Sequence, residues 1–421
     1  MREYLNLFTE QKRLCPHIKM SAEVTTITPL PHDGLEGQEG TAGWQVTWQE
    51  GGANGAKKQK AFQYVVVASG IFEKSHMAVP GIETFPGHVQ HSADYRDPSE
   101  LAGKKVLVIG SAFSGADIAA ELSKTASVTI SCGRPLWYLP RHVNGVPADL
   151  VFYSRKPKPK LSLTETYQRK HQFLSTLAGQ VPEGLESPGD WSQAPFVCIS
   201  DHFAEAVRAS ALRTAAKVTQ VSGSEVSFAD GSIAEFDAIV VATGYTLELP
   251  FLDQKIKEAV HLDTADQLQP LILGHSVWPE LRGLAFVGLY RGPYFAVLEL
   301  QARWACGVFS GRLERPPLAE ALKAAWAVRG TDEDDGTDER PGRPQFPHDY
   351  VAMAEELADF VGVHPRCIAE ASHPMHHLYA DIVEGPLLPF HYRLVGFKAS
   401  PAEAEAAIQE CRQTYFSESQ K

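Results

Sequence analysis

The feature that most constrains this chain is a six-residue turn, Gly110-Ser111-Ala112-Phe113-Ser114-Gly115, set between the apolar run KVLVI (Lys105 to Ile109) and the segment ADIAAELSK. KVLVI reads as a strand buried on both faces, and the segment beyond the turn as a helix. A further strand, SVTISC, follows at Ser127 to Cys132. Strand, glycine turn, helix and strand make a βαβ unit, whose right-handed crossover places both strands parallel in one sheet. The first glycine of such a turn permits the tight bend, and the last lets helix and strand pack closely. Unpaired N–H groups and the positive dipole end of the helix then face a pyrophosphate. Ala112 stands where the full fingerprint carries its middle glycine.

Other readings of the turn are a phosphate-binding P-loop and a glycine turn with no ligand. The P-loop needs Lys and then Ser or Thr after its second glycine, and Ala116-Asp117 follow here, so that reading fails. The end of the next strand separates the dinucleotides. An NAD site places an acid about 20 residues past the turn to accept from the ribose hydroxyls. Here Ser131, Cys132, Gly133 and Arg134 lie there, with no carboxylate. A carboxylate repels a 2′-phosphate and an arginine fork pairs with one, so NADP is favoured over NAD. The bland alternative for Arg134 is a surface arginine.

The surroundings of this unit are those of a large soluble protein. A chain of 421 residues suggests two domains, and its net charge of −12 argues against nucleic acid or an anionic membrane as main partner. Six cysteines without CxxC spacing and sixteen histidines without HExxH suggest no metal centre and a reducing, cytoplasmic setting. No apolar run approaches the roughly 18 residues of a membrane span. Residues 2–14 read as an amphipathic helix, followed by strands at Ala22 to Thr28 and Gly43 to Trp48 and a Gly/Lys-rich turn, GGANGAKKQK. QYVVVA (Gln63 to Ala68) reads as a strand buried on both faces, ending in Ser69-Gly70. AIVVA (Ala238 to Ala242) repeats that pattern and ends in Thr243-Gly244-Tyr245. The basic run Arg155 to Lys160 reads as solvated loop, and residues 331–344, dense in charge with Pro and Gly, as a mobile one.

A second motif lies just upstream of the turn. FPGHVQHSADY fits FxGxxxHxxxY through Phe85, Gly87, His91 and Tyr95. It resembles the identifying motif of flavin-containing monooxygenases; the related Baeyer–Villiger motif ends in tryptophan, and Tyr95 argues against it. Further segments resemble the same family in order along the chain: YRDPSELAGKKVLVIG, SCGRPLWYLPR, DAIVVATGY, LAFVGL with ELQARW, and GPLLPFHYRLVG.

The resemblance implies an α/β fold of two dinucleotide-binding, Rossmann-like domains, with FAD and NADP as cofactors. The NADP domain (85–236) is inserted into a flavin domain formed by residues 1–84 and 237–421. It implies NADPH- and O2-dependent oxygenation of a nucleophilic nitrogen or sulfur on a small amine or sulfide, through a flavin C4a-hydroperoxide. That chemistry belongs to the cofactor, so no acid–base catalytic residue is assigned. Arg134 matches the residue placed on the 2′-phosphate; Ser69, Gly70, Thr243, Gly244 and Gln301 fall at strand ends and a helix on the flavin side. His91 belongs to the nicotinamide-domain interface, as a structural histidine rather than a base. One departure stands out: the family opens with its own βαβ unit and GxGxxG turn for FAD, and no such turn lies upstream of Phe85. The flavin domain is therefore expected to be N-terminally truncated, and a non-catalytic NADP-binding remnant is the alternative function. Homo-oligomerisation is left open by the sequence.

Overall fold

The computed structural model describes residues 2–30, 43–52, 55–156, 161–178, 185, 188–193, 195–260, 262, 281, 283–290, 292, 294–314 and 350–416. Its organising element is a five-stranded, all-parallel sheet. The order is Leu212–Ala215, Ser127–Ser131, Lys105–Ile109, Ala238–Val241, His88–His91. KVLVI lies at the centre, with four of its five residues buried. Alternate residues of the sheet face two cores. Val106, Val108, Val128, Ile130 and Val240 meet the helices Phe113–Leu122 and Asp201–Arg208 through Ala116, Ala119, Phe203 and Val207. Leu107, Ile109, Ile239 and Val241 pack on the other side against a small antiparallel sheet that supplies Val221, Val226 and Phe228. Both faces are thus covered, as a purely parallel sheet requires.

The expected boundary at residues 236 and 237 falls inside this sheet. Ala238–Val241, expected on the flavin side, pairs with Lys105–Ile109 on one edge and His88–His91 on the other. The chain leaves the sheet only after Val241. Four consecutive apolar residues announce a buried strand but do not say in which sheet it is buried.

Other parts of the described chain build a second body of structure. Ala22–Leu30, Gly43–Glu50 and Ala56–Phe62 make an antiparallel sheet. The third strand occupies the stretch expected as a turn. It is an edge strand exposed throughout and carries Lys57, Lys58 and Lys60, a device that blunts free sheet edges. Val65–Val67 pairs in parallel with Leu284–Phe286. The expectation that this strand is buried on both faces fails, because Val66 is 44% exposed. Helices Phe295–Phe309 and Tyr350–Val361 pack over the inner core around Trp44, Phe286, Trp304 and Leu357. Residues 331–344 lie outside the described residues. Among the described residues no helix is long and apolar enough to cross a membrane.

Candidate functional site

The glycine turn sits at the carboxyl end of the central strand, where open α/β sheets bind their ligands. Its two glycines are there for steric reasons. Gly110 has φ of 103°, and a Cβ on it would lie 2.5 Å from the Ala242 carbonyl oxygen. A Cβ on Gly115 would lie 1.8 Å from the Gly110 carbonyl oxygen. The helix begins earlier than expected, at Phe113 rather than Ala116, so half of the motif is already helical. Ala112 is the N-cap, with extended backbone (φ −76°, ψ −172°) and no side-chain cap. Its own conformation is comfortable for alanine, and the first-turn N–H groups are left without a capping side chain. Phe113 and Ser114 are exposed, whereas Ser111 and Gly115 are buried. An anion is the partner that such a helix end favours.

The next strand end holds both a correction and an addition. Ser131 is 2% exposed; its Oγ donates to Ala216 O at 2.8 Å and accepts from Val218 N at 3.1 Å. Its hydroxyl is thereby engaged in pinning the neighbouring chain. Arg134 is exposed, with its guanidinium 4.0 Å from the centre of the Phe196 ring. Although the residue reaches solvent, surrounding protein partly desolvates the guanidinium and lowers its pKa, which for an arginine leaves the charge intact. Lys217 arrives here from the connection just after the adjacent strand, Leu212–Ala215: its Cγ lies 3.9 Å from where a Cβ on Gly133 would be. Sequence reading missed Lys217 because it lies far from Arg134 along the chain. Only strand pairing brings the two together.

The FxGxxxHxxxY motif ties this unit together. Phe85 is buried in the core under the sheet. A Cβ on Gly87 would meet the Asp237 carbonyl oxygen at 2.4 Å. His91 is buried; its Nδ1 accepts from the Ala93 N–H at 3.1 Å. Its Nε2 is buried without a hydrogen bond of acceptable geometry, although the Gly244 backbone faces it. Burial lowers the His91 pKa, so the ring is held neutral. Tyr95 donates to Glu121 Oε2 at 2.9 Å, on the helix that the glycine turn opens. Burial, then the Glu121 carboxylate, raise the phenol pKa. Tyr95→Phe is expected to cost about 1 kcal/mol, read as a lower urea midpoint at unchanged slope.

Two connections leave the parallel sheets side by side. Lys74–Ser75 pairs antiparallel with Tyr245–Thr246, His76 N donates to Gly244 O at 2.9 Å, and the Thr243 hydroxyl donates to the His76 carbonyl. Tyr245 packs its ring on Phe72 at 5.3 Å and edge-on to His91 at 5.1 Å. Of the residues expected here, Thr243 and Gly244 lie at this crossing, and Ser69-Gly70 stand shortly before its first strand; Gly70 and Gly244 are both left-handed (φ 79° and 91°). Gln301 lies away from the turn, on helix Phe295–Phe309, and is buried. Its Oε1 accepts from Gly288 N at 3.0 Å, which fastens the loop after Leu284–Phe286.

This arrangement is a dinucleotide-binding sheet joined by paired connections to a second α/β body, and the comparisons agree with it. The chain matches the flavin-binding monooxygenase-like family over residues 1–415. It belongs to that family, whose members are flavoprotein oxidoreductases using FAD and NADPH. It is 30% identical to human flavin-containing monooxygenase 5 over 414 residues, which cover 94% of this chain and 73% of that protein. It is 29% identical to human dimethylaniline monooxygenase [N-oxide-forming] 4, over 94% of this chain and 69% of that one. In fold it is similar to S-allyl-L-cysteine S-oxygenase from Allium sativum, with a TM-score of 0.56 at 21% identity, covering 98% of this chain and 76% of that one. It is also similar to the NADP+-bound cyclohexanone monooxygenase from Rhodococcus, with a TM-score of 0.58 at 18% identity, covering 86% and 81%. These likenesses give the fold, a mixed α/β architecture with a parallel sheet; the neighbours themselves are two-domain flavin monooxygenases.

Proposed function

We propose that this protein is an NADPH- and O2-dependent monooxygenase that oxygenates the nucleophilic nitrogen or sulfur of small amines or sulfides. The observation that carries the NADP half is the glycine turn packed against Ala242, with an uncapped helix end and basic side chains at the next strand end. The first-turn amides of Phe113 and Ser114 receive the pyrophosphate. Arg134 and Lys217 receive the 2′-phosphate, where an acid would repel it. Phe196 fixes the Arg134 guanidinium plane, which limits the rotamer freedom lost on binding.

FAD, when bound, supplies the oxygen activation. Among the described residues no second strand, glycine turn and helix unit takes a flavin pyrophosphate. On the flavin side, the residues assigned here are the crossing of Thr243 and Gly244 with Ser75 and His76, the Ser69-Gly70 connection leading into it, and the loop that Gln301 holds. There Gly70 and Gly244, both left-handed and with open space where a Cβ would stand, leave room for the cofactor beside the paired backbones. Neutral His91, packed on Tyr245, holds the crossing in register with the NADP sheet.

The test is cofactor discrimination by fluorescence titration. Arg134→Ala is expected to weaken NADPH binding about 10- to 100-fold, the loss of one charge-assisted interaction of about 1.5–3 kcal/mol, and to leave NADH within about twofold. Lys217→Ala follows the same pattern with a smaller effect, since a lysine is a point charge on a flexible stem. Equal losses for both nucleotides remove these residues from the 2′-phosphate site.

A further inference from the structure

The start of the basic run expected to be solvated is instead buried. The Arg155 side chain is 8% exposed, and it reaches from the end of the segment 141–155 into the C-terminal part of the chain. Its Nε donates to Glu355 Oε1 at 3.0 Å, and one terminal nitrogen contacts His391 Nδ1 at 2.6 Å and Ile382 O at 3.3 Å. The other terminal nitrogen is buried without a partner. Beside it the backbones join: Leu387 N donates to Tyr153 O at 2.8 Å, and Ser154 bridges Pro386. The other end of the segment abuts the helix of the glycine turn. Arg141 lies 3.5 Å from Asp117 on that helix, and its N–H donates to Asp201.

We propose that Arg155 and His391 form an acid-sensitive clasp, which holds segment 141–155 to the C-terminal tail at neutral pH and releases it as His391 gains a proton. Because arginine only donates, His391 Nδ1 must be the acceptor, so the ring is neutral with its proton on Nε2. A proton on Nδ1 destroys that bond and places two cations in contact in a buried site. Burial, and then the Arg155 charge, hold the His391 pKa well below its ordinary value.

The other titratable or charged groups facing the pair are few. Glu355 and Tyr350 come from helix Tyr350–Val361, His364 from the connection after it, and Tyr392 from beside His391. Burial raises the Glu355 pKa. The His364 hydrogen bond at 2.6 Å, the Arg155 charge and the Tyr392 hydroxyl outweigh that and hold it at about 2. Released to an ordinary carboxyl value, Glu355 changes the opening constant by less than about twofold above pH 5.

The sign follows from His391 having a depressed pKa in the closed form. The clasp is fully stable above about pH 6.5 and loses a factor approaching ten in its closing constant for each unit below that. Between pH 8 and pH 5 the opening constant rises, by up to about thirtyfold. The Leu387 amide reports it directly, since its hydrogen bond to Tyr153 O is part of the clasp.

Hydrogen exchange of peptides covering 385–391, corrected for the intrinsic pH dependence of exchange, is expected to show that rise in the wild-type chain. His391→Asn keeps an acceptor near the Nδ1 position without a titrating ring, and its opening is expected to stay within about twofold over the same range. A wild-type clasp with pH-independent protection overturns the proposal without recourse to any variant. So does a folded His391→Asn chain that keeps the wild-type pH response, since the clasp would then not be read through His391.

Discussion

Gly115→Ala is expected to weaken NADPH binding by about 10²-fold or more and to destabilise the fold by about 1–3 kcal/mol, the ordinary cost of forcing atoms into a packed site. The geometry leaves little room to adapt. The new methyl would sit 1.8 Å from the Gly110 carbonyl oxygen, with the Ala242 side chain 3.3 Å away on the same side. Backbone cannot swing aside as a long side chain would. The helix start must instead move away from the strand, taking the Phe113 and Ser114 amides with it. Losing two charge-assisted hydrogen bonds of about 1.5 kcal/mol each accounts for the hundredfold. Isothermal titration gives the affinity, and urea unfolding gives the stability. Ala112→Gly serves as the control. The alanine is in an extended conformation that glycine adopts equally, so NADPH affinity is expected to hold or improve. A Gly115→Ala chain that binds NADPH like wild type would show that the turn does not hold the pyrophosphate.

The second large effect is expected at Arg303. This residue of helix Phe295–Phe309 is 8% exposed, and it fastens the tail through carbonyls: NH1 donates to Tyr392 O at 2.6 Å, and NH2 to Phe397 O. Glu299, one turn earlier, lies 3.6 Å from Arg303 and receives the Arg393 guanidinium from Nε at 2.9 Å and NH2 at 2.5 Å. Arg303→Leu leaves two tail carbonyls unpaired and one carboxylate with a single cation. Removing one member of a buried ionic network costs about 3–5 kcal/mol. The lower end applies here, because Glu299 keeps Arg393. The urea midpoint should fall accordingly, and the tail should become protease-sensitive before the parallel sheet. NADPH affinity should survive at moderate urea, because none of these groups touches the NADP sheet. Loss of both together would mean that the two parts unfold as one.

Much of the NADP unit was legible in the sequence because its signals are local. A buried strand, two glycines at fixed spacing and a periodic helix lie within eighteen residues, Lys105 to Leu122, and each constrains the next. What escaped was non-local or disguised. Ala238–Val241 has the same local pattern in either sheet, and only pairing decides its place. Ala56–Phe62 reads as a turn because an exposed edge strand has no apolar face to betray it. Ser131 occupies the ribose-reading position in sequence, yet its hydroxyl is turned into the strand end by Ala216 and Val218. Lys217 and Arg155 carry no motif at all. Their meaning comes from neighbours far along the chain: Gly133 for one, Glu355 and His391 for the other. Tyr95 shows a middle case, in which the motif was visible but its bond to Glu121 was not.

Coupling of NADPH to oxygenation of a soft nucleophile, as proposed for this chain, is read by isotope transfer. The protein is supplied with FAD, NADPH, a dialkyl sulfide and 18O2, and the sulfoxide is analysed by mass spectrometry. The expected result is one labelled oxygen per sulfoxide, sulfoxide formation matched to NADPH consumption beyond any uncoupled background, and a rate that collapses when NADH replaces NADPH. NADPH binding with no retained flavin and no labelled sulfoxide contradicts it, and leaves an NADP-binding protein without catalysis.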